Sequence, residues 1–277
     1  DIKNKLAEAS GKMDKLKAGW IGFIKPDEEF WPNVEKLASL GYRGMEGGEA
    51  LLKGDVEENV KRFHDLGLQV LTVSADLKDL REEEYEGIIK KAQQLKTNRA
   101  TVWVSSINSS FWNQDPVYDE VMRDCEAMEK AAEKLESEGI TLCYHNHHQD
   151  FLTSHRGVAY FDILLYNTNK LQIELDVGWA TNGLEDPCRV MERIKDRLAA
   201  IHVKDYINGE PREKEGGWAP IFTTVGNGEL NLVPVLETAQ KIGIQWAVVE
   251  QDTMHNLSPM ESLTASYLNM KETGFVL

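Results

Sequence analysis

The sequence predicts an α/β chain closed into a single (β/α)8 barrel, the TIM barrel, spanning residues 1–277. Three observations carry that expectation. Short β-like runs and helical patterns alternate along the chain. The length of 277 residues suits one barrel of this kind. Reactive side chains recur at the ends of the β-like runs, where such barrels place their sites. An open doubly wound sheet is the competing fold. It usually carries a glycine-rich phosphate loop after its first strand, and GFIKPDEEF (22–30) is no such loop.

Taken in order, the β-like runs are AGWIGF (18–23), YRGMEG (42–47), LQVLTVSA (68–75), ATVWVSS (100–106), GITLCYHNH (139–147), LQIELDVG (171–178), AAIHVKD (199–205) and QWAVVEQ (245–251). Several are apolar throughout their centres, as strands covered on both faces should be. Between them lie apolar stripes at helical spacing. These are Val34, Leu37 and Leu40; Val56, Val60 and Phe63; and Ile88, Ala92 and Leu95. The longest runs from Tyr118 through Val121, Met122, Cys125, Met128 and Ala132 to Leu135. Val190, Met191 and Ile194 follow, then Leu232, Leu236 and Ala239, and a last helix over about 259–271. Residues 1–16 read as an N-terminal helical extension.

Composition narrows the function classes. A net charge of -15, with no Lys/Arg cluster outside amphipathic helices, argues against nucleic acid as substrate. No apolar run reaches the roughly 18 residues of a membrane helix, so no membrane partner is expected. Cys125, Cys143 and Cys188 are widely spaced and odd in number, which fits free thiols in a reducing cytoplasm better than a disulfide framework.

The chemistry gathers at the ends of the last four predicted strands. His145, Asp176, His202 and Glu250 each follow an apolar run, and each comes from a different consecutive strand. In a closed barrel they curve around half of one mouth. Two imidazoles and two carboxylates there suit one divalent ion such as Mn2+, Co2+, Fe2+ or Zn2+. Each residue also has a plainer reading: a hydrogen-bonding histidine, a helix-capping Asp176, an ion-paired Glu250.

Around this set, His147 is a candidate substrate contact, while His148 is read as exposed. Lys204 offers an ammonium to an enolate oxygen, hydroxyl or phosphate, or else a salt bridge to Asp205 or Glu250. Glu46 is a candidate base or hydroxyl ligand, or else a solvated loop carboxylate. Asn146 and Asp252 are further candidate substrate contacts at strand ends. Trp20, Trp103 and Trp179 lie near strand ends, where flat rings suit sugar C–H faces, although core packing is the commoner use of a Trp. The long 207–242 segment, rich in Gly and charge, is either a lid over the mouth or a surface insertion.

The motifs YHNHHQDF (144–151), ELDVGWA (174–180), IHVKDY (201–206), VGNGELN (225–231) and VVEQD (248–252) together resemble the xylose-isomerase-like TIM-barrel superfamily of sugar phosphate isomerases and epimerases. That group includes inosose dehydratases, ketose 3-epimerases and apurinic endonucleases. The resemblance runs from GYRGMEGG onward and follows the branch with a Tyr-His-Asn-His strand. It implies Asp176, His202 and Glu250 as metal ligands. Relatives commonly place a Glu at the fifth strand's end, where this chain has His145. In the epimerases that Glu and the eighth-strand Glu form an acid/base pair, so here the second group falls to His147, Lys204 or Glu46. The resemblance excludes the endonuclease branch, whose multi-metal site has a further His soon after the sixth-strand Asp. Here that neighbourhood is DVGWA, with Trp179.

The expected activity is a divalent-metal-dependent sugar or sugar phosphate isomerase or epimerase. The ion would chelate the carbonyl oxygen and a neighbouring hydroxyl, and Glu250 would take the adjacent proton to give a stabilised enediolate. A lyase, either keto-inositol dehydratase-like or eliminating from a 3-keto glycoside, shares that intermediate. A non-catalytic sugar-binding or partner subunit is the alternative of another class. The expected partner is a small sugar or cyclitol carbonyl compound, with a homo-oligomer compatible with the family.

Overall fold

The computed structural model describes residues 13–77, 80, 84–207 and 220–277. Eight parallel strands close on themselves: β1 (Lys17–Trp20), β2 (Gly44–Glu46), β3 (Gln69–Ser74), β4 (Arg99–Val102), β5 (Thr141–His145), β6 (Gln172–Asp176), β7 (Leu198–Val203) and β8 (Trp246–Val249). β8 returns to β1 in the register Lys17↔Trp246 to Trp20↔Val249. Every predicted run overlaps one of these strands, and every strand ends before its run does. His147, Lys204 and Glu250 therefore stand on loops just beyond the strands.

Helices cover the barrel: α1 (Phe30–Leu40), α2 (Val56–Asp65), α3 (Tyr85–Leu95), α4 (Tyr118–Ser137), α5 (Tyr160–Asn167), α6 (Pro187–Ile194), α7 (Leu232–Ile242) and α8 (Pro259–Glu272). The predicted stripes face inward; on α4, Val121, Cys125, Met128, Ala132 and Leu135 are all buried. Asp55 caps α2 by accepting from the Glu58 N–H, and Ser258 and Glu261 form a capping box on α8. Among the described residues, no helix is long and apolar enough to cross a membrane.

The structure corrects the expected extension where it is described. Residues 13–15 have no regular structure, and Leu16 bridges to Val276; residues 1–12 lie outside the described residues.

Alternation along each strand sorts side chains into an outward and an inward set. Ala100, Val102, Leu142, Tyr144, Ile173 and Leu175 point outward into the main apolar core beneath the helices. The inward set forms three layers. The floor is Leu71, Trp246 and Val248. Gly19 and Gly44 leave room for Leu71 there; a Cβ on Gly44 would lie 2.7 Å from its Cδ2. The middle layer is polar, with Arg99, Glu46, Glu174 and Thr101 in contact. The top layer carries His145, Asp176, Glu250, Lys204 and Trp103.

Candidate metal centre and active site

Four residues meet at the top of the barrel. One donor atom each from His145, Asp176, His202 and Glu250 lies within 4.8 Å of all the others. His145 Nε2 is 3.3 Å from Asp176 Oδ2 and 3.4 Å from Glu250 Oε2, and His202 Nδ1 is 2.9 Å from Glu250 Oε2. Strand register produces this meeting: Asp176 of β6 stands opposite His202 of β7, and His145 of β5 stands opposite Glu174 of β6.

These donors fit a divalent cation. His145 Nε2 and Asp176 Oδ2 are buried and make no directed hydrogen bond, an expensive condition for two polar atoms in one site. Asp176 uses its other oxygen, Oδ1, to accept the Trp179 N–H at 2.7 Å and cap the short helix 177–182. Capping and metal ligation are thus compatible at this residue, one per oxygen. Asn146 holds it in place: its Oδ1 accepts from the Asp176 N–H at 2.9 Å, and its Nδ2 donates to the Asp176 carbonyl at 3.3 Å.

Lys204 supplies a fixed counter-charge. Its ammonium is 3.3 Å from Asp176, 3.1 Å from Glu250 and 3.0 Å from Asp252. Burial would lower its pKa, but these three carboxylates outweigh that and keep it charged. The expected salt bridge to Glu250 forms; that to Asp205 does not. Asp205 instead accepts from the backbone N–H groups of Tyr206, Gly226, Gly228 and Leu230, which pins residues 226–230 to the chain just beyond β7. Residues 205–207 pair with 221–223, so the base of the expected lid is anchored; its 208–219 stretch lies outside the described residues.

The ionisable groups divide sharply. Burial would lower His145, yet the Asp176 and Glu250 carboxylates 3.3 and 3.4 Å from its Nε2 lift it to about 9. Burial raises Glu250, but Lys204, His145 and His202 pull it well below the usual carboxylate range. His147 goes the other way: burial, aided by His145 and Lys204, holds it well below the usual histidine value. Its Nδ1 has no hydrogen-bond partner, and its ring centroid is 5.0 Å from that of His145. Burial and Lys204 lower His148 to about 4.

Above these groups is a cavity of about 390 Å3 lined in part by Ser74, Trp103, His145, His147 and Glu250. Trp103 donates from Nε1 to Ser74 Oγ at 3.1 Å, with its ring 5.6 Å from His145 and 5.9 Å from His202. Trp179 is buried under Lys204, whose Nζ is 4.9 Å from the ring centroid. Asp252 stands partly exposed beside Lys204.

Several expectations need correction. Trp20 is fully buried, packed edge-on against Tyr42 and beside Phe63, and does not reach the cavity. Asn146 is fully buried and joins β5 to β6 instead of facing a substrate. Glu46 is not a solvated loop carboxylate; it lies in the middle layer, bonded to Arg99 and to His202. His148 is buried, stacked on Trp179 with centroids 4.9 Å apart.

Three polar residues of the site went unread in the sequence. Glu174 and Arg99 complete the middle layer. Asp150 is fully buried, accepting from Tyr144 Oη at 2.7 Å, Asn108 Nδ2 at 3.1 Å and the His147 N–H at 2.8 Å. Glu174 was findable, because it stands two residues before Asp176 and so shares its face.

Comparison with known proteins agrees with this architecture. The family model for xylose isomerase-like TIM barrels matches residues 34–270. The chain belongs to that family. Within it, an inosose dehydratase of Lacticaseibacillus casei is 26% identical over 264 residues, covering 84% of this chain and 87% of that protein. A sugar phosphate isomerase/epimerase structure from Parabacteroides distasonis superposes with a TM-score of 0.69 at 22% identity, covering 95% and 97% of the two chains. A zinc-bound IOLI protein superposes with a TM-score of 0.68 at 14% identity, covering 93% and 98%.

Proposed function

We propose that this chain is a divalent-metal-dependent enzyme that removes the proton beside the carbonyl of a small sugar or cyclitol, with isomerisation or epimerisation as the outcome. One observation carries the reading: His145, Asp176, His202 and Glu250 converge beneath a cavity, with His145 Nε2 and Asp176 Oδ2 outside any directed hydrogen bond. A divalent ion held by them supplies a Lewis acid for the carbonyl oxygen and a neighbouring hydroxyl. The zinc in the IOLI protein supports Zn2+ as one such ion.

The protein's own groups then divide the work. Glu250 is a weak base, because Lys204 and two histidines already hold its charge. His147 is better suited: neutral at pH 7, with a free Nδ1, at the edge of the cavity. Lys204 steadies negative charge that builds up on the substrate oxygen. Trp103 offers a flat wall to the sugar.

The test is deuterium exchange in 2H2O with a panel of ketoses and inososes, after loading with Mn2+, Co2+ or Zn2+. Exchange beside the carbonyl is expected. It should vanish in His202→Ala, together with bound metal, and fall about 10²–10⁴-fold in His147→Gln. No exchange with any ion and substrate rejects the proposal.

A lyase outcome has one specific observation in its favour, the similarity to an inosose dehydratase. A β-hydroxyl would leave, taking up the proton that His147 holds, and water and an enone would result. Product analysis by NMR and ultraviolet absorbance separates the two outcomes.

A further inference from the structure

We infer that Glu46, Glu174 and Arg99 form a positioning platform that selects which nitrogen of His202 binds metal. The inference rests on the metal site proposed above and adds residues beneath it. Both ring nitrogens of His202 meet carboxylates, but in different surroundings. Nδ1 faces Glu250, whose side chain is 18% exposed at the open mouth. Nε2 points down into the barrel, 2.6 Å from Glu46 Oε2 and 3.0 Å from Glu174 Oε1, with all three side chains fully buried.

The lower cluster is itself a set of three possible ligands, yet its charge is already matched. Arg99 donates to Glu46 Oε1 and lies 3.3 Å from Glu174 Oε2. A guanidinium at that position repels a cation from the lower face. It also leaves the inner carboxylate oxygens free to accept a proton-bearing Nε2. Glu46 accepting from Nε2–H, with the Glu174 carboxylate 3.0 Å away as a second negative charge, fixes the ring plane, fixes the tautomer and makes Nδ1 the more electron-rich nitrogen.

The backbone supports the same reading. The β2–β3 register shifts between Met45 and Glu46, and the β6–β7 register shifts between Ile173 and Glu174. Both platform carboxylates thus follow immediately on an irregularity of the kind that re-aims a side chain. His145 needs no such device, because its Nε2 already faces Asp176 and Glu250. The structure therefore predicts a mixed pair: His145 through Nε2 and His202 through Nδ1.

The deciding experiment uses wild-type protein with 15N-labelled histidine, loaded with 113Cd2+. Splitting by cadmium should appear on one Nε2 and one Nδ1, and the second histidine should carry its proton on Nε2. Two histidines both coupled through Nε2 would overturn the inference while leaving the metal site standing. In parallel, Co2+ titration of Glu174→Gln and Glu46→Gln should show about 10–100-fold weaker binding and an altered visible spectrum. Wild-type affinity and spectrum in both variants would also overturn it. Uptake of neither Cd2+ nor Co2+ by the wild type would defeat the metal site itself, and the inference with it.

Discussion

Asp176 performs two tasks with two oxygens, and substitution can separate them. Asn at this position keeps an acceptor for the Trp179 N–H but loses the anionic ligand. Asp176→Asn should therefore melt near the wild type and bind no metal, whereas Asp176→Ala should lose metal and about 1 kcal/mol of stability besides. Thermal melts beside elemental analysis would show it; metal retained by Asp176→Asn would remove this residue from the ligand set. Asp150 makes a different prediction. Burial raises its carboxyl from 3.8 to about 6, despite hydrogen bonds from the His147 N–H, Tyr144 and Asn108 that favour the anion. With the folded pKa above the unfolded one, its contribution to stability is fully present below about pH 4 and is lost as pH rises through about 6. Between pH 4 and pH 7 the wild type should thus lose on the order of 1–3 kcal/mol relative to Asp150→Asn. Denaturant curves at both pH values would measure it, and parallel changes in the two proteins would refute it.

At the scale of elements, strands were easier to read than short helices, for physical reasons. A strand buried on both faces leaves a run of apolar residues, and eight such runs were visible. Glu174 hid inside one of them because the barrel interior accepts a paired carboxylate where an open sheet would not. Helix α5, YFDILLYN, was missed because its apolar residues run almost all the way round and show no stripe. Residues 177–178, the start of the short helix 177–182, were read as the end of the sixth strand; Asp176, which the sequence also offered as a cap, decides it by capping. His145, Asp176, His202 and Glu250 were legible because barrel topology alone fixes where strand ends meet. Glu46 was singled out too, but its meeting with Glu174, Arg99 and His202 in the middle layer was not legible, since it depends on two register shifts. The VGNGELN turn shows what such local geometry demands: a Cβ on Gly228 would lie 2.2 Å from Asp205 Oδ1 and 2.5 Å from the Tyr206 carbonyl. Gly228→Ala should cost about 1–3 kcal/mol and loosen residues 226–230, visible as faster amide exchange there; unchanged exchange would contradict the anchoring role of Asp205.

For the molecule as a whole, the barrel is closed at one end by side chains. Leu71, Trp246 and Val248 fill the floor, with Gly19 and Gly44 cut back to admit them. Leu71→Ala should open a cavity and cost about 2–5 kcal/mol, measured by denaturant unfolding. A cost under about 1 kcal/mol would mean that the neighbours collapse into the space. Above that floor the Arg99–Glu46–Glu174 layer adds a second seal. The site is consequently a blind well. Whatever diffuses in must back out along the same route before a new molecule arrives, so traffic is single-file. Accumulated product should then compete directly with substrate for occupancy, slowing turnover progressively even while substrate remains abundant.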